Sequence, residues 1–508
     1  MSLFEQRHAD KITGSLGCFD RIVLMGTFPD ICHAKAITIH FYRQHLKIFD
    51  LADWAKPFAE QLRARAEALE TEHGLKIQYI QKKDFRKEDR IAEILKTRGM
   101  APGLVHIFSA LEPCNTFKPW HDKISHQTFF KPDCGKCLHY YFYFIDAELG
   151  LCYLRVPTWA PFRLQFYFNG HNLLANKLRR NGIAFTQQDN AFVSIADFDT
   201  AQKLSNDFID LRKLHHKLDA FVAGYCPALS VFQGGVHWSI MQIEHALDIV
   251  FKSADTFGPL YDNLIYTAIH SIKPDNVATF LGHHLDGRNK QDIGGDLKTQ
   301  IQGTRIKHHM GPVALKLYDK FGTVARIECT ANDVTFFRHP RKVEHRDGTT
   351  ALQVAPVKKS IYSLRVVAEL LHAACVRYLN FLSAIDDPSS GLKNVEKIAA
   401  REHEDERSYR GFNLFDGEDL DLFETLARGE FNIGGFRAKH LRAHLPTLSP
   451  SRMSTCLKRL RVHGLIKKIG HTFKYYLTKL GTTAVTAALK LRSLVVIPSL
   501  QFPANASK

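Results

Sequence analysis

The chain has 508 residues, of which 45% are hydrophobic and 24% charged, and a formal charge of +16. That length exceeds one hydrophobic core, so two to four domains are expected, and the composition is that of an ordinary globular protein rather than a disordered or fibrous one. No run of 18 apolar residues and no apolar segment near Met1 occurs, which predicts neither a membrane span nor a secretory leader, and the 10 scattered Cys read as reduced thiols of a cytoplasmic protein.

Residues 1–112 alternate strand and helix. Asp20–Gly26 is an apolar strand, Phe58–His73 a helix, Leu75–Tyr79 a strand, Glu88–Arg98 a helix and Gly103–Ala110 a buried strand. The order predicts a parallel α/β domain. It carries no glycine-rich nucleotide motif of either common kind, so nucleotide binding has no support. Residues 113–215 read as a strand-rich domain, with strands at Tyr140–Ile145, Leu151–Val156 and Arg163–Phe168 and a covering helix at Asn172–Arg180. Residues 216–357 start helical and become a sheet. Val236–Lys252 fits a helix or a long strand equally well by periodicity. Arg305–Met310, Ala314–Tyr318 and Thr323–Thr330 are strands, the last two joined by Asp319-Lys320-Phe321-Gly322. Residues 358–411 form a helical connector, Ser360–Leu382, and a linker whose best candidate is Asp386–Gly391 with the charged stretch Glu396–Arg410. The expectation is thus an α+β multi-domain chain with an N-terminal α/β layer and a central mixed or antiparallel sheet region.

Residues 412–508 stand apart. Phe431–Lys508 contains 14 Lys or Arg and no Asp or Glu, so nearly all of the net charge sits in the tail. A field so localised predicts a polyanion-binding module on a nearly neutral body. Asp419–Ala427 and Arg437–Leu445 read as short helices. Ser449 is a helix N-cap followed by Pro450 at the first helical position, and Gly464 is the stop. Two strands around Gly470-His471 and a helix at Thr482–Leu494 follow. Leu420, Leu422, Leu441, Leu445, Leu457 and Leu460 are the candidate core, closed by Ile466, Phe473 and Tyr475. The stretch from Ser449 to Gly481 resembles the recognition helix and wing of bacterial winged-helix regulators of the multiple-antibiotic-resistance kind. The resemblance covers residues 412–497 and implies DNA or RNA as partner. By position it implies Arg452, Lys458, Arg459, Arg461, Lys467, Lys468 and Lys474 as phosphate or base contacts. A winged helix used only for protein contacts is the alternative. The remainder of the chain resembles an uncharacterised bacterial family, which implies no activity.

Three constellations could carry chemistry. In the central strands, side-chain alternation puts Lys316 with Tyr318, Arg326 with Glu328, and Arg305 with Lys307 and His309 on shared faces. The hairpin predicts one ionic patch, read either as a solvated face with cross-strand ion pairs or as a phosphate-holding, catalytic or strand-transfer surface. Residues 316–328 are similar to a strand pair of phage and plasmid replication initiators, although the initiators' His-x-His metal motif is missing because His308 and His309 are adjacent. A Mg²⁺-dependent nuclease would need converging carboxylates, for which Asp146 with Glu148, Glu244, Asp248 and Glu328 are candidates; a polar hairpin turn is the plainer role of Asp146. Cys134 and Cys137 are spaced as half a zinc site, to be completed by Cys114, His121 or His126, or are two ordinary thiols.

These features predict a nucleic-acid-binding protein, associated with a mobile element or with replication. A one-component regulator with a sensing body and a structured-RNA partner protein are the alternatives. Whether it is an enzyme, and whether it is an oligomer, the sequence leaves open.

Overall fold

The computed structural model describes residues 3–81, 84–285, 293–300, 303–384, 398–404, 407–413, 416–470 and 472–497. The candidate linker at 386–391 and His471 lie outside them. The chain is a mixed α+β protein with a large mixed sheet. It divides into two compact units, one of residues 1–15, 247–329 and 373–508 and the other of residues 16–246 and 330–372.

In the second unit β1 (Ile12–Thr27) has its body, and β2 (Gln78–Tyr79), β3 (Gly103–His121), β4 (Thr128–Asp146), β5 (Gly150–Pro157) and β6 (Leu164–Asn169) lie in the order β1-β6-β5-β4-β3-β2. Only the β2–β3 pair is parallel; β1 pairs antiparallel with β6, Val23 opposite Tyr167. The expected parallel layer over residues 1–112 therefore does not form. Chain order predicted β1 beside β2 and β3, but the partner of a buried strand is set by long-range packing that local pattern does not encode. Of the helices of this stretch, Lys87–Arg98 lies where expected, Leu51–Glu72 begins seven residues before the expected Phe58, and Ala34–Arg43 was not expected. Leu51, Ala55, Leu62, Ala66 and Leu69 form the buried stripe of the longest one. Ile91 from Lys87–Arg98 packs with Val105, Phe108, Tyr141 and Tyr143 across β3 and β4. Two further hairpins, β7 (Phe185–Gln188) with β8 (Ala191–Ile195) and β14 (Arg338–Glu344) with β15 (Thr350–Pro356), belong to this unit.

The ambiguous stretch at 236–252 is a strand, β9 (His237–Phe251). From His245 to Phe251 every residue is buried, so both faces are covered and the period-two signal of a half-exposed strand is lost. The end of β9 belongs to the first unit with β10 (Ile293–Gln300), β11 (Gly303–Met310), β12 (Val313–Lys320) and β13 (Val324–Ala331). β10, β11 and β12 pair antiparallel in sequence, Lys307 opposite Lys316. Among the described residues one helix, Ile361–Ser383, is long and apolar enough to cross a membrane by length and composition. Its Leu364, Val367, Leu371, Tyr378 and Leu382 are buried in the protein, the pattern of a core helix.

The C-terminal part of the first unit follows a short hairpin, β16 (Glu402–Glu404) with β17 (Arg407–Tyr409). Helices Gly417–Leu426, Gly429–Gly434, Ala438–His444 and Pro450–Val462 lead to the hairpin β18 (Ile466–Lys468) with β19 (Tyr475–Leu477), and helix Lys479–Lys490 closes the order. Ser449 caps its helix by accepting from the Arg452 N–H, with Pro450 at the first position. Gly464 takes φ +70° after the helix end, where a residue with Cβ would be strained. Thr478, not a residue near Thr482, caps the last helix. Phe423, Leu441, Met453, Leu460, Ile466, Leu477 and Val485 form its core. The sequence placed Phe473 in that core; it is instead 75% exposed, because it lies in the loop before β19 and the buried positions are Tyr476 and Leu477.

Candidate nucleic-acid interface

The hairpin β18–β19 and the helices Ala438–His444 and Pro450–Val462 enclose a groove of about 610 Å³. Arg437, Lys439, Lys458, Arg461 and Lys468 line it, with the rings of Phe473 and Tyr475, and no acidic residue does. The Lys468 ammonium lies 5.2 Å from the Phe473 ring centre. Tyr475 stacks on Phe436 at 6.2 Å and 22°, which fixes its ring. Among the described residues, Arg437, Lys439, Arg452, Lys468 and Lys474 form no ion pair, so no carboxylate neutralises them.

Several other tail cations are paired within the protein. Arg459 is the clearest correction. It is 8% exposed, holds Asp419 through two nitrogens at 2.5 and 2.8 Å, and donates to the carbonyls of Arg410 and Gly411. Its guanidinium lies 3.8 Å above the Phe412 ring. A side chain so committed is a core strut, not a phosphate contact. Helical position assigned Arg459 to the exposed face, but the chain before Gly417 covers that side of the helix. Lys458 and Arg461 line the groove while pairing with Glu404 at 3.1 and 2.9 Å. Lys467 points to Asp275 at 3.6 Å. Lys474 is half-buried over the Tyr476 ring. Sequence reasoning missed Arg437 and Lys439. Their signal was present as two cations flanking the start of the helix before the capped one.

The central ionic patch forms, but as a buried centre. Lys316 and Tyr318 on β12 both donate to Glu328 on β13, each at 2.5 Å. Arg326, fully buried, holds Asp248 on β9 through two bonds of 2.6 and 2.7 Å. All eight residues of β13 are buried, so the expectation of a solvated ion-pair face is overturned. Charges there persist because each is paired bidentately or by two donors. Arg305 and Lys307 are half-exposed on β11, with Asp296 3.9 Å from Lys307. Between them and the core, His308 is fully buried, 5.7 Å from the Tyr378 ring, and neither ring nitrogen has a hydrogen-bond partner. Burial pushes its pKa down to about 3, so it is neutral.

In the second unit the candidate acid Asp146 is a turn residue. Its carboxylate accepts from the Glu148 and Leu149 N–H groups and pairs with Lys217 at 2.9 Å, and Glu148 shares that lysine. Burial opposes ionisation, but these donors hold the pKa below the usual carboxylate range. Asp146 is therefore not one of a set of converging carboxylates. The expected zinc half-site fails too. Residues 134–137 run through β4 rather than around a tight turn, so Cys134 is exposed on one face and Cys137 buried on the other. Burial, then a hydrogen bond with Cys114, pushes Cys137 up to about 12, so it is a neutral thiol. His121 is engaged with Thr128.

The acid that sequence reasoning passed over is Asp20. It is 4% exposed, accepts from Asn169 and from Asn190, and has an oxygen within 4.8 Å of one from Glu244. Both open onto a cavity of about 750 Å³ walled by Tyr143, Tyr153 and Tyr167, which face one another across β4, β5 and β6. An aspartate inside the apolar run Cys18–Leu24 was the signal. No family model, no curated protein and no solved structure matches this chain.

Proposed function

We propose that the C-terminal module is a winged helix-turn-helix and that the protein binds nucleic acid through its basic groove. One observation carries this reading: a concave surface lined by two aromatic and five cationic side chains, three of which, Arg437, Lys439 and Lys468, form no ion pair among the described residues. Such a surface attracts phosphate and offers rings to bases, whereas a protein-contact groove gains from an apolar floor. Binding driven by cation–phosphate contact releases counterions, so the affinity of the full chain falls steeply with salt. Fluorescence anisotropy with labelled oligonucleotides checks this. Lys439→Ala with Lys468→Ala removes two contacts and flattens the log–log salt slope by roughly 1.5. A folded chain that retains no oligonucleotide at low salt removes the reading.

A second reading is favoured by the cavity beside Asp20 and Glu244. It makes the body the ligand-sensing part of a one-component regulator, with Mg²⁺ as the cation a carboxylate pair of this spacing takes. A rise in melting temperature with Mg²⁺ that Asp20→Asn abolishes supports it. An unchanged wild-type melting temperature rejects the metal.

A further inference from the structure

We infer that the groove takes single-stranded nucleic acid in preference to duplex, with an unstacked base lying on Phe473; this rests on the nucleic-acid reading above. Among the described residues Phe473 is the most exposed Phe, Tyr or Trp, at 75%. It is nevertheless held in place. The loop that carries it is closed by the Ile469 N–H to the Lys474 carbonyl, by the Thr472 N–H to the Ile469 carbonyl, and by the Thr472 hydroxyl, which receives the Lys474 N–H. These bonds hold the backbone that carries the ring, and the Lys468 ammonium lies 5.2 Å from the ring centre, so the exposed aromatic face sits beside a cation at the groove. The ring lies in the wall of a groove whose other walls are cationic, with Tyr475 two residues on lining the same groove.

The chemistry of the two forms of nucleic acid separates here. In a duplex each base face is covered by its neighbours, and the ring would meet only sugar edges and phosphates. A single strand can turn a base face onto Phe473 while its phosphates meet Arg437, Lys439 and Lys468. Every base has a π-face, so this contact tolerates any sequence. It adds a salt-insensitive component to the salt-sensitive one, since stacking releases no counterions.

The full chain is titrated by anisotropy against three fluorescein-labelled probes of one mixed sequence: single-stranded deoxyribo, single-stranded ribo and duplex deoxyribo. Both single strands are expected to bind more tightly than the duplex. Their ratio tells whether the strand used is DNA or RNA. Phe473→Ala is expected to weaken single-strand binding roughly tenfold, with the salt slope and duplex binding unchanged. Phe473→Trp is expected to restore it. The substitution sits on an exposed side chain, so an unchanged melting curve separates loss of contact from loss of fold. If duplex binds as tightly as single strands and Phe473→Ala changes nothing, the inference falls while the nucleic-acid reading stands. If no probe binds, that reading falls and this one with it.

Discussion

Two stretches of this chain look alike in sequence and differ in the folded protein. Both the strands 305–328 and the helix–hairpin 449–477 are dense in Lys and Arg, and both read as surfaces for a polyanion. In the strands the charges turn inward. Arg326 meets Asp248 and Glu328 collects Lys316 and Tyr318, in a layer where every residue of β13 is buried. In the tail one arginine, Arg459, is treated the same way, while Arg437, Lys439 and Lys468 stay at the wall of an open groove. Charge density therefore does not tell whether a cation is structural. The presence of a carboxylate within reach does, and for the tail those carboxylates, Asp419 and Glu404, come from residues before it.

The comparison is most exposed at its two buried arginines. Asp248→Ala removes the carboxylate that holds the fully buried Arg326 guanidinium by two bonds and should cost about 3–5 kcal/mol. Asp419→Ala should cost less, because the Arg459 side chain is partly open to solvent while that of Arg326 is fully buried. Urea denaturation of both variants ranks them; an equal or reversed order would mean that Arg326 relaxes to another partner.

His308 sharpens the same point from the polar side. Both its nitrogens are buried without partners, so His308→Leu should raise stability by about 1–3 kcal/mol. The pH dependence has a definite sign. The histidine titrates near 6.5 when unfolded and near about 3 when folded. Between those values the unfolded chain binds the extra proton, so stability is full above about pH 6.5 and falls as the pH drops towards 3. Thermal melts across that range should show a shallower decline for His308→Leu than for the native chain.

The smallest effect is expected where the charges are paired at the surface. Lys467 and Asp275 lie 3.6 Å apart, each about half exposed. Lys467→Ala should change stability by no more than about 1 kcal/mol. It should weaken oligonucleotide binding less than Lys468→Ala, its neighbour at the groove, when both are compared by anisotropy.

What was legible in the sequence is what neighbouring residues decide. Ser449 and Pro450 start a helix because a hydroxyl accepts an N–H three residues on and a fixed φ suits the first turn. Asp146 makes a hairpin turn because its carboxylate reaches the next N–H groups. The strands of the central region and the sharing of a face by Lys316 and Tyr318 follow from alternation alone. Tertiary structure decided the rest, because it depends on which distant segment arrives. β1 took β6 rather than a parallel neighbour, and β9 hid its period by being covered on both sides. Cys134 and Cys137 parted to opposite faces once their segment became a strand. Arg459 was drawn inward by an aspartate 40 residues earlier, and Phe473, hydrophobic enough for any core, was left at the surface by the loop that holds it.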